Sequence, residues 1–259
     1  MSFLHPLSKR PYHIPARPGD VAPRVVAMGD PERTRKAAKL LEGARVINEH
    51  RGYLAVTGTY RGVPVTLATH GIGAPSAAIV FEELAMLGAK AIVRAGTCGA
   101  LAKEIGVGTA FVAEGAAYEP GGTIGLYVGP TSFPAVPTPE LVIALERAAR
   151  RLGLRVARGL VISSDAFHRV EAHADRWAGL GISAVEMECA TLFAIGRLRG
   201  LVTGCIALVI DNVATGEELR EGREELELEV VRAALEAVTE IPGQELGQIQ
   251  KGAGDHSLK

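Results

Sequence analysis

Arg94 stands inside an apolar run, AIVRAGTCGA over Ala91–Ala100. A guanidinium there costs free energy unless it is paired. One possible partner is a carboxylate of the same chain, Glu82 or Glu83. The other is an anion from outside, because the planar fork donates two parallel hydrogen bonds to a phosphate. Thr97 adds a hydroxyl three residues on, and Gly96, Cys98 and Gly99 read as a small-residue loop that lets backbone approach a ligand. A second anion site is written in Gly29-Asp30-Pro31-Glu32-Arg33, a strand-to-helix turn with free backbone N–H groups. Arg33 falls in the first helical turn, where the dipole disfavours a cation. Its plain alternative is a solvated charge paired with Glu32 or Asp30. In Ala184–Ala190, AVEMECA, Glu186 and Glu188 flank Met187 among apolar neighbours. Buried carboxylates need donors, and a vicinal diol supplies two. Asp211 follows the apolar run 201–210 directly. Burial there raises a carboxyl's pKa and suits it to donate a proton; the alternative is a cap.

These groups need elements to hold them. Alternation and turn residues predict strands at 24–28, 45–50, 53–60, 63–70, 109–118, 155–163 and 201–210, besides the start of the Arg94 run. Helices are predicted from Pro31 to about Leu41, from the Gly71–Ser76 turn to about Leu87, and over 139–152 with Thr138 as cap. Two more run from the Glu186–Glu188 stretch to about Leu198 and from about Glu217 to Thr239. Residues 119–137 read as a Gly- and Pro-rich loop, residues 1–23 as an extended arm that presents His13, and residues after Pro242 as a polar tail. The strands and helices give a fold over 1–242 followed by a tail over 243–259.

Composition narrows the function. The chain has 259 residues, 47% hydrophobic and 22% charged, which is globular and enough for one large core. A net charge of -1 advertises no surface for nucleic acid. Three scattered cysteines make neither a disulfide framework nor a zinc spacing, and His168 and His173 lack a third ligand, so no metal is expected. No apolar run reaches membrane-spanning length and the N-terminus lacks a signal-peptide core; a cytoplasmic protein is expected. Gly71-Ile72-Gly73-Ala74-Pro75-Ser76 resembles half of a dinucleotide fingerprint, but Ser76 stands where Gly or Ala is needed.

Taken together, Gly29-Asp30-Pro31-x-Arg33, Arg94-x-Gly96-Thr97-x-Gly99-Ala100, Glu186-Met187-Glu188 and Asp211 resemble the hexameric branch of the nucleoside phosphorylases. That branch includes purine nucleoside, uridine and methylthioadenosine phosphorylases. The resemblance implies an α/β fold, a mixed sheet partly closed into a barrel and flanked by helices. It implies a phosphate site on Gly29, Arg33, Arg94 and Thr97, with Arg45 donated by a neighbouring subunit. It also implies a ribose site on Glu186, Met187 and Glu188 with His13 from a neighbour, and a base site on Cys98, Gly99 and Phe167. A homo-oligomer follows, most simply a hexamer built as a trimer of dimers. No cofactor is implied; inorganic phosphate is a co-substrate.

The resemblance also bears on the base. Gly71–Leu87 and the SFPAV at 132–136 look closest to uridine phosphorylases. Yet 170–177 supplies no Gln-x-Arg of the kind those enzymes use, and Asp211-Asn212 replaces their Asn-Arg pair. An acid at Asp211 serves a purine, whose N7 it protonates. Purine enzymes pair that acid with an arginine further on; an ungapped count reaches Glu224, with Arg220 and Arg223 beside it. A nucleosidase of the same fold would use water in place of phosphate, and the three matched arginines argue against it.

Overall fold

The computed structural model describes residues 11–242; the tail expected at 243–259 and the first ten residues of the arm expected at 1–23 lie outside them. The strand β5 (Ala91–Ala100) organises the sheet because it has three partners. Its first half lies parallel between β1 (Arg24–Met28) and β9 (Val202–Asn212). By Gly99 and Ala100, β1 has ended and β8 (Ile182–Glu186) pairs antiparallel in its place. From β8 the sheet passes through β7 (Val156–Ser163) and β6 (Ala110–Tyr118) back to β9. Five strands thus close into a mixed barrel. Outside it, β1 continues through β4 (Val63–Thr69) and β3 (Ala55–Tyr60) to the edge strand β2 (Glu42–Asn48). A two-residue strand, β10 (Glu217–Glu218), flanks β9.

Helices cover both faces. On one side α2 (Ala74–Met86) and α6 (Cys189–Arg199) bury Phe81, Leu84, Leu192 and Phe193. On the other, α4 (Pro139–Arg151) and α7 (Arg223–Glu240) bury Leu141, Leu145, Val231 and Leu235. Each such side chain contributes about 1.5–3 kcal/mol by leaving water. The short α1 (Pro31–Ala37) starts as expected, with Asp30 accepting the Glu32 N–H at 2.8 Å and Pro31 in its first turn. The remaining helices are α3 (Gly122–Val128) and α5 (Ala174–Gly179).

Several expectations are corrected. The Gly96–Gly99 stretch is strand, not loop, because β9 pairs along all of β5 with one register shift at Cys98/Gly99. For the same reason Asp211 and Asn212 belong to β9 instead of following it. The turn-rich loop holds α3, and Glu217 opens β10 while α7 waits for Arg223. The Thr138 hydroxyl accepts the Thr203 N–H at 3.1 Å and does not cap its own helix. The strand β8, ISAVE before Met187, is not among the expected strands; its Ser183 and Ala184 interrupt an apolar run of the kind that announces β1.

Candidate active site

Arg94 is buried in β5 and takes neither Glu82 nor Glu83. Glu82 is bound by Arg199, and Glu83 holds the arm through the Tyr12, His13 and Ile14 N–H groups. Arg94 instead turns to the motif after β8. Its Nε donates to Glu188 Oε2 at 3.1 Å, Nη2 donates to the same oxygen, and Glu186 Oε2 lies 3.5 Å away. The guanidinium folds back over Gly96, where any Cβ would collide with it. Burial works against the charge on Arg94, but Glu188 and Glu186 outweigh it and raise its pKa further. Glu188 is held below the usual carboxylate range in the same way: burial pushes it up, and Arg94, His70 and the Gly73 N–H overcome that.

Each carboxylate has further ties. Glu188, just before α6, accepts the Gly73 N–H at 2.7 Å. Gly73 has φ 84°, a backbone that L side chains rarely adopt, and that conformation aims its N–H out of the start of α2. Glu186 accepts the Glu188 and Cys189 N–H groups at 2.7 and 2.9 Å, and the Ser163 hydroxyl. It therefore satisfies the first turn of α6. Met187 sits half-buried between them. All three cysteines lie buried, and Cys205 Sγ is 3.8 Å from Arg94 Nη1.

His70 is a member that sequence reasoning missed. It directly follows β4 and is fully buried, and its Nδ1 lies 2.8 Å from the Gly71 carbonyl. Burial pushes its pKa down to about 4, so the ring is neutral near pH 7. With the proton assigned to Nδ1, Nε2 is an acceptor that has no partner among the described residues. Its ring packs beside Gly29: a Cβ there would lie 3.1 Å from Gly71 O and 3.6 Å from His70 Cε1. The available signal was a lone polar ring closing an apolar strand ahead of a glycine turn. Ser163 gave a similar one, a hydroxyl at a strand end.

Of the other proposed anion ligands, Arg33 is near enough for its charge to act, with that of Arg94, on the His70 ring. Arg33 pairs with neither Glu32 nor Asp30; its Nε and Nη2 grip Glu227 of α7 at 3.0 and 2.9 Å. Thr97 is half-buried in β5. Arg45 is exposed on β2 and donates to Asp20 at 2.9 Å. Since β2 is four strands from β5, the two backbones are about 19 Å apart. The His13 Nδ1 sits 2.8 Å from Glu83 on α2.

At the end of β9, Asp211 is half-buried against β5, so that a Cβ on Gly99 would lie 3.0 Å from its Oδ2. Burial raises its carboxyl pKa; Glu218 and Glu171 add to this and Arg223 opposes it. Arg223, one residue short of the ungapped count, is thus the cation whose field reaches the acid. Asn212 is committed to structure, donating to Ala102 O and Ile105 O at 3.0 Å and accepting from Ala214 and Thr215 N–H. Cys98 is buried, and burial pushes its thiol up and leaves it inert. Phe167, neither core nor covered, is 67% exposed on the turn after β7. A cavity of about 340 Å³ adjoins this region, lined by Ala74, Tyr118, Ser163, Asp165 and Trp177. Of the Arg94 network it touches only Ser163.

The arrangement holds a cation for an anion, a carboxylate for hydroxyls and a second carboxyl with raised pKa. A family model described as the phosphorylase superfamily matches residues 23–241. A uridine phosphorylase of Thermococcus kodakarensis is 38% identical over 231 residues, covering 84% of this chain and 83% of the relative. A guanosine phosphorylase of Halorubrum lacusprofundi is 35% identical, covering 91% of this chain and 100% of its own. A DeoD-type purine nucleoside phosphorylase of Geobacillus kaustophilus is 35% identical over 87% of this chain and 96% of its own. Among solved structures, purine nucleoside phosphorylase from Toxoplasma gondii in complex with immucillin-H superposes with a TM-score of 0.76 at 31% identity, covering 89% of this chain and 96% of that one.

Proposed function

The chain belongs to the phosphorylase superfamily and is a nucleoside phosphorylase, and from that premise we propose that it cleaves purine nucleosides in preference to uridine. Its substrates are a nucleoside and phosphate, as the family implies. The observation that carries the purine reading is Asp211, a carboxyl raised by burial at the end of β9. A leaving purine gains negative charge that an acid quenches at N7; uracil has no N7.

The mechanism follows from charge. As the N-glycosidic bond breaks, ribose becomes positive and the base negative. Phosphate held by Arg94, Arg33, Thr97 and the Gly29 backbone stabilises the oxocarbenium-like sugar, and its oxygen then bonds to the anomeric carbon to give ribose 1-phosphate. Glu188 fixes the sugar hydroxyls: Arg94 occupies Oε2, while Oε1 takes one N–H and keeps a lone pair. Met187 packs against the sugar. Glu186 serves this site by fixing the backbone of Glu188. Phe167, with Cys98 and Gly99, faces the base. Arg45 and His13 complete the site of a neighbouring subunit, which the four-strand separation of Arg45 from β5 supports. A homohexamer built of dimers is the assembly that would use them.

The test is base release from inosine, adenosine, methylthioadenosine and uridine, each with and without phosphate. Phosphate-dependent release, faster from the purines, is expected. Release independent of phosphate would make the protein a hydrolase. A clear preference for uridine would mean that the likeness around Gly71–Leu87 was the better guide.

A further inference from the structure

Glu227 has no place in the chemistry described so far, yet its carboxylate joins two residues that do. It lies on the second turn of α7, and its side chain is 12% exposed. From α1, Arg33 donates Nε to Oε2 at 3.0 Å and approaches Oε1 with Nη2 at 2.9 Å. From the first residue of α7, Arg223 donates Nε to Oε1 at 2.9 Å. The Arg33 side chain is 11% exposed, so this bidentate pair is largely out of water and its geometry is fixed. Arg223 stands at a helix N-terminus, where the dipole repels it, and the carboxylate one turn on offsets that. Among the described residues, Nη1 of Arg33 and both Nη groups of Arg223 have no acceptor.

The two arginines reach this one carboxylate from elements that adjoin different parts of the proposed site. Arg33 follows the Gly29 turn after β1, and Arg223 follows β10, whose Glu218 pairs in register with Asp211. We propose that Glu227 is a positioning residue that fixes Arg33 at the phosphate end and Arg223 at the base end with one carboxylate. This rests on the phosphorylase reading of Arg33 and Asp211. Phosphate then meets an arginine already oriented, with only its free edge to offer. The same carboxylate limits how strongly Arg223 acts on Asp211. The charged groups that face Asp211 are Glu218 on β10, Glu171 from the loop before α5, and Arg223 on α7.

The test uses the full-length enzyme with inosine and inorganic phosphate, comparing wild type, Glu227→Gln, Arg33→Ala and the double variant. Glu227→Gln keeps the shape and removes the charge. It should raise the phosphate KM roughly tenfold, the worth of one charge-assisted hydrogen bond, and leave the inosine KM near wild type. The double variant should be little worse than Arg33→Ala, because the two act through one contact. With the carboxylate gone, the Arg223 cation is less neutralised and lowers the Asp211 pKa, so the basic limb of the inosine pH–rate profile moves to lower pH. A merely structural ion pair would shift the melting temperature and neither kinetic readout. If Arg33→Ala weakens phosphate while Glu227→Gln leaves both the phosphate KM and the pH limb unchanged, the proposal is overturned and the phosphate reading stands. If Arg33→Ala also leaves the phosphate KM unchanged, the phosphate assignment of Arg33 falls and this inference with it.

Discussion

The Arg94 end and the Asp211 end of the proposed site are built in opposite ways. Arg94, Glu186 and Glu188 are buried, and every one of them is tied by two or more hydrogen bonds or ion pairs to backbone or side chain. Asp211 and Phe167 are half-buried and exposed, at a strand end and on a turn. The sugar is common to every nucleoside and phosphate is the co-substrate of each, so a prearranged end suits them, and prearrangement removes reorganisation from the reaction. The base differs between substrates. An end governed by one titratable group and one ring can change specificity without disturbing the rest. The contrast predicts that substitutions at the first end cost folding and rate together, whereas those at the second cost rate alone.

The largest effect should come from Arg94→Met. It leaves Glu188 buried with the Gly73 N–H as its remaining donor, and breaking a buried ion pair on one side costs about 3–5 kcal/mol of stability. Turnover should fall as well, by the equivalent of about 2.7–4 kcal/mol for a lost charge stabiliser. Urea unfolding beside initial rates checks both. Adding Glu188→Gln should recover much of the stability and none of the rate; stability unchanged in Arg94→Met would break the contrast.

His70 belongs to the buried end and gives it a pH dependence. Its pKa is about 4 when folded and about 6.5 when unfolded, so between those values the unfolded chain binds more protons. Stability from this group is therefore full above pH 6.5 and lost as pH falls towards 4, by about 3 kcal/mol in all. Glu188, whose pKa is lowered, acts in the same direction at lower pH. His70→Gln should flatten the upper part of this acid limb in denaturant titrations. An unaltered slope would mean that the ring is not held neutral.

The smallest stability effect belongs to Arg45, which is exposed and paired with the half-buried Asp20. Arg45→Ala should leave the melting temperature close to wild type and still impair turnover, if Arg45 serves a neighbour's site. Mixing inactive Arg45→Ala chains with inactive Arg94→Ala chains should then restore part of the activity, because some mixed sites carry neither lesion. A fully active monomer in sedimentation would sink the shared-site arrangement.

Much of this was legible in the sequence because it rests on local rules. The Asp30-Pro31 start of α1, the strand at Arg24–Met28 and the crowding of carboxylates before α6 each follow from a few adjacent residues. The partners were not legible. Arg94 lies 94 residues from Glu188, and Arg33 lies 194 from Glu227, distances over which no periodicity speaks. Barrel closure was expected from the family resemblance and not from the residues themselves: it turns on β5 exchanging β1 for β8 midway, which a run of small residues resembling a loop conceals. His70 and Arg223 gained meaning only when packing set them beside Glu188 and Asp211.

On the proposed mechanism, Asp211 makes the open end selective for purines. The most direct measurement is kcat/KM for inosine and for uridine, with saturating phosphate, in wild type and Asp211→Asn. Asparagine keeps the shape and cannot donate a carboxyl proton. Inosine cleavage should fall about 10²–10⁴-fold, the usual worth of general acid catalysis, while uridine cleavage changes far less and the melting temperature stays near wild type. Equal losses for both nucleosides, or a harmless substitution in an enzyme that prefers uridine, would mean that Asp211 does not select the base.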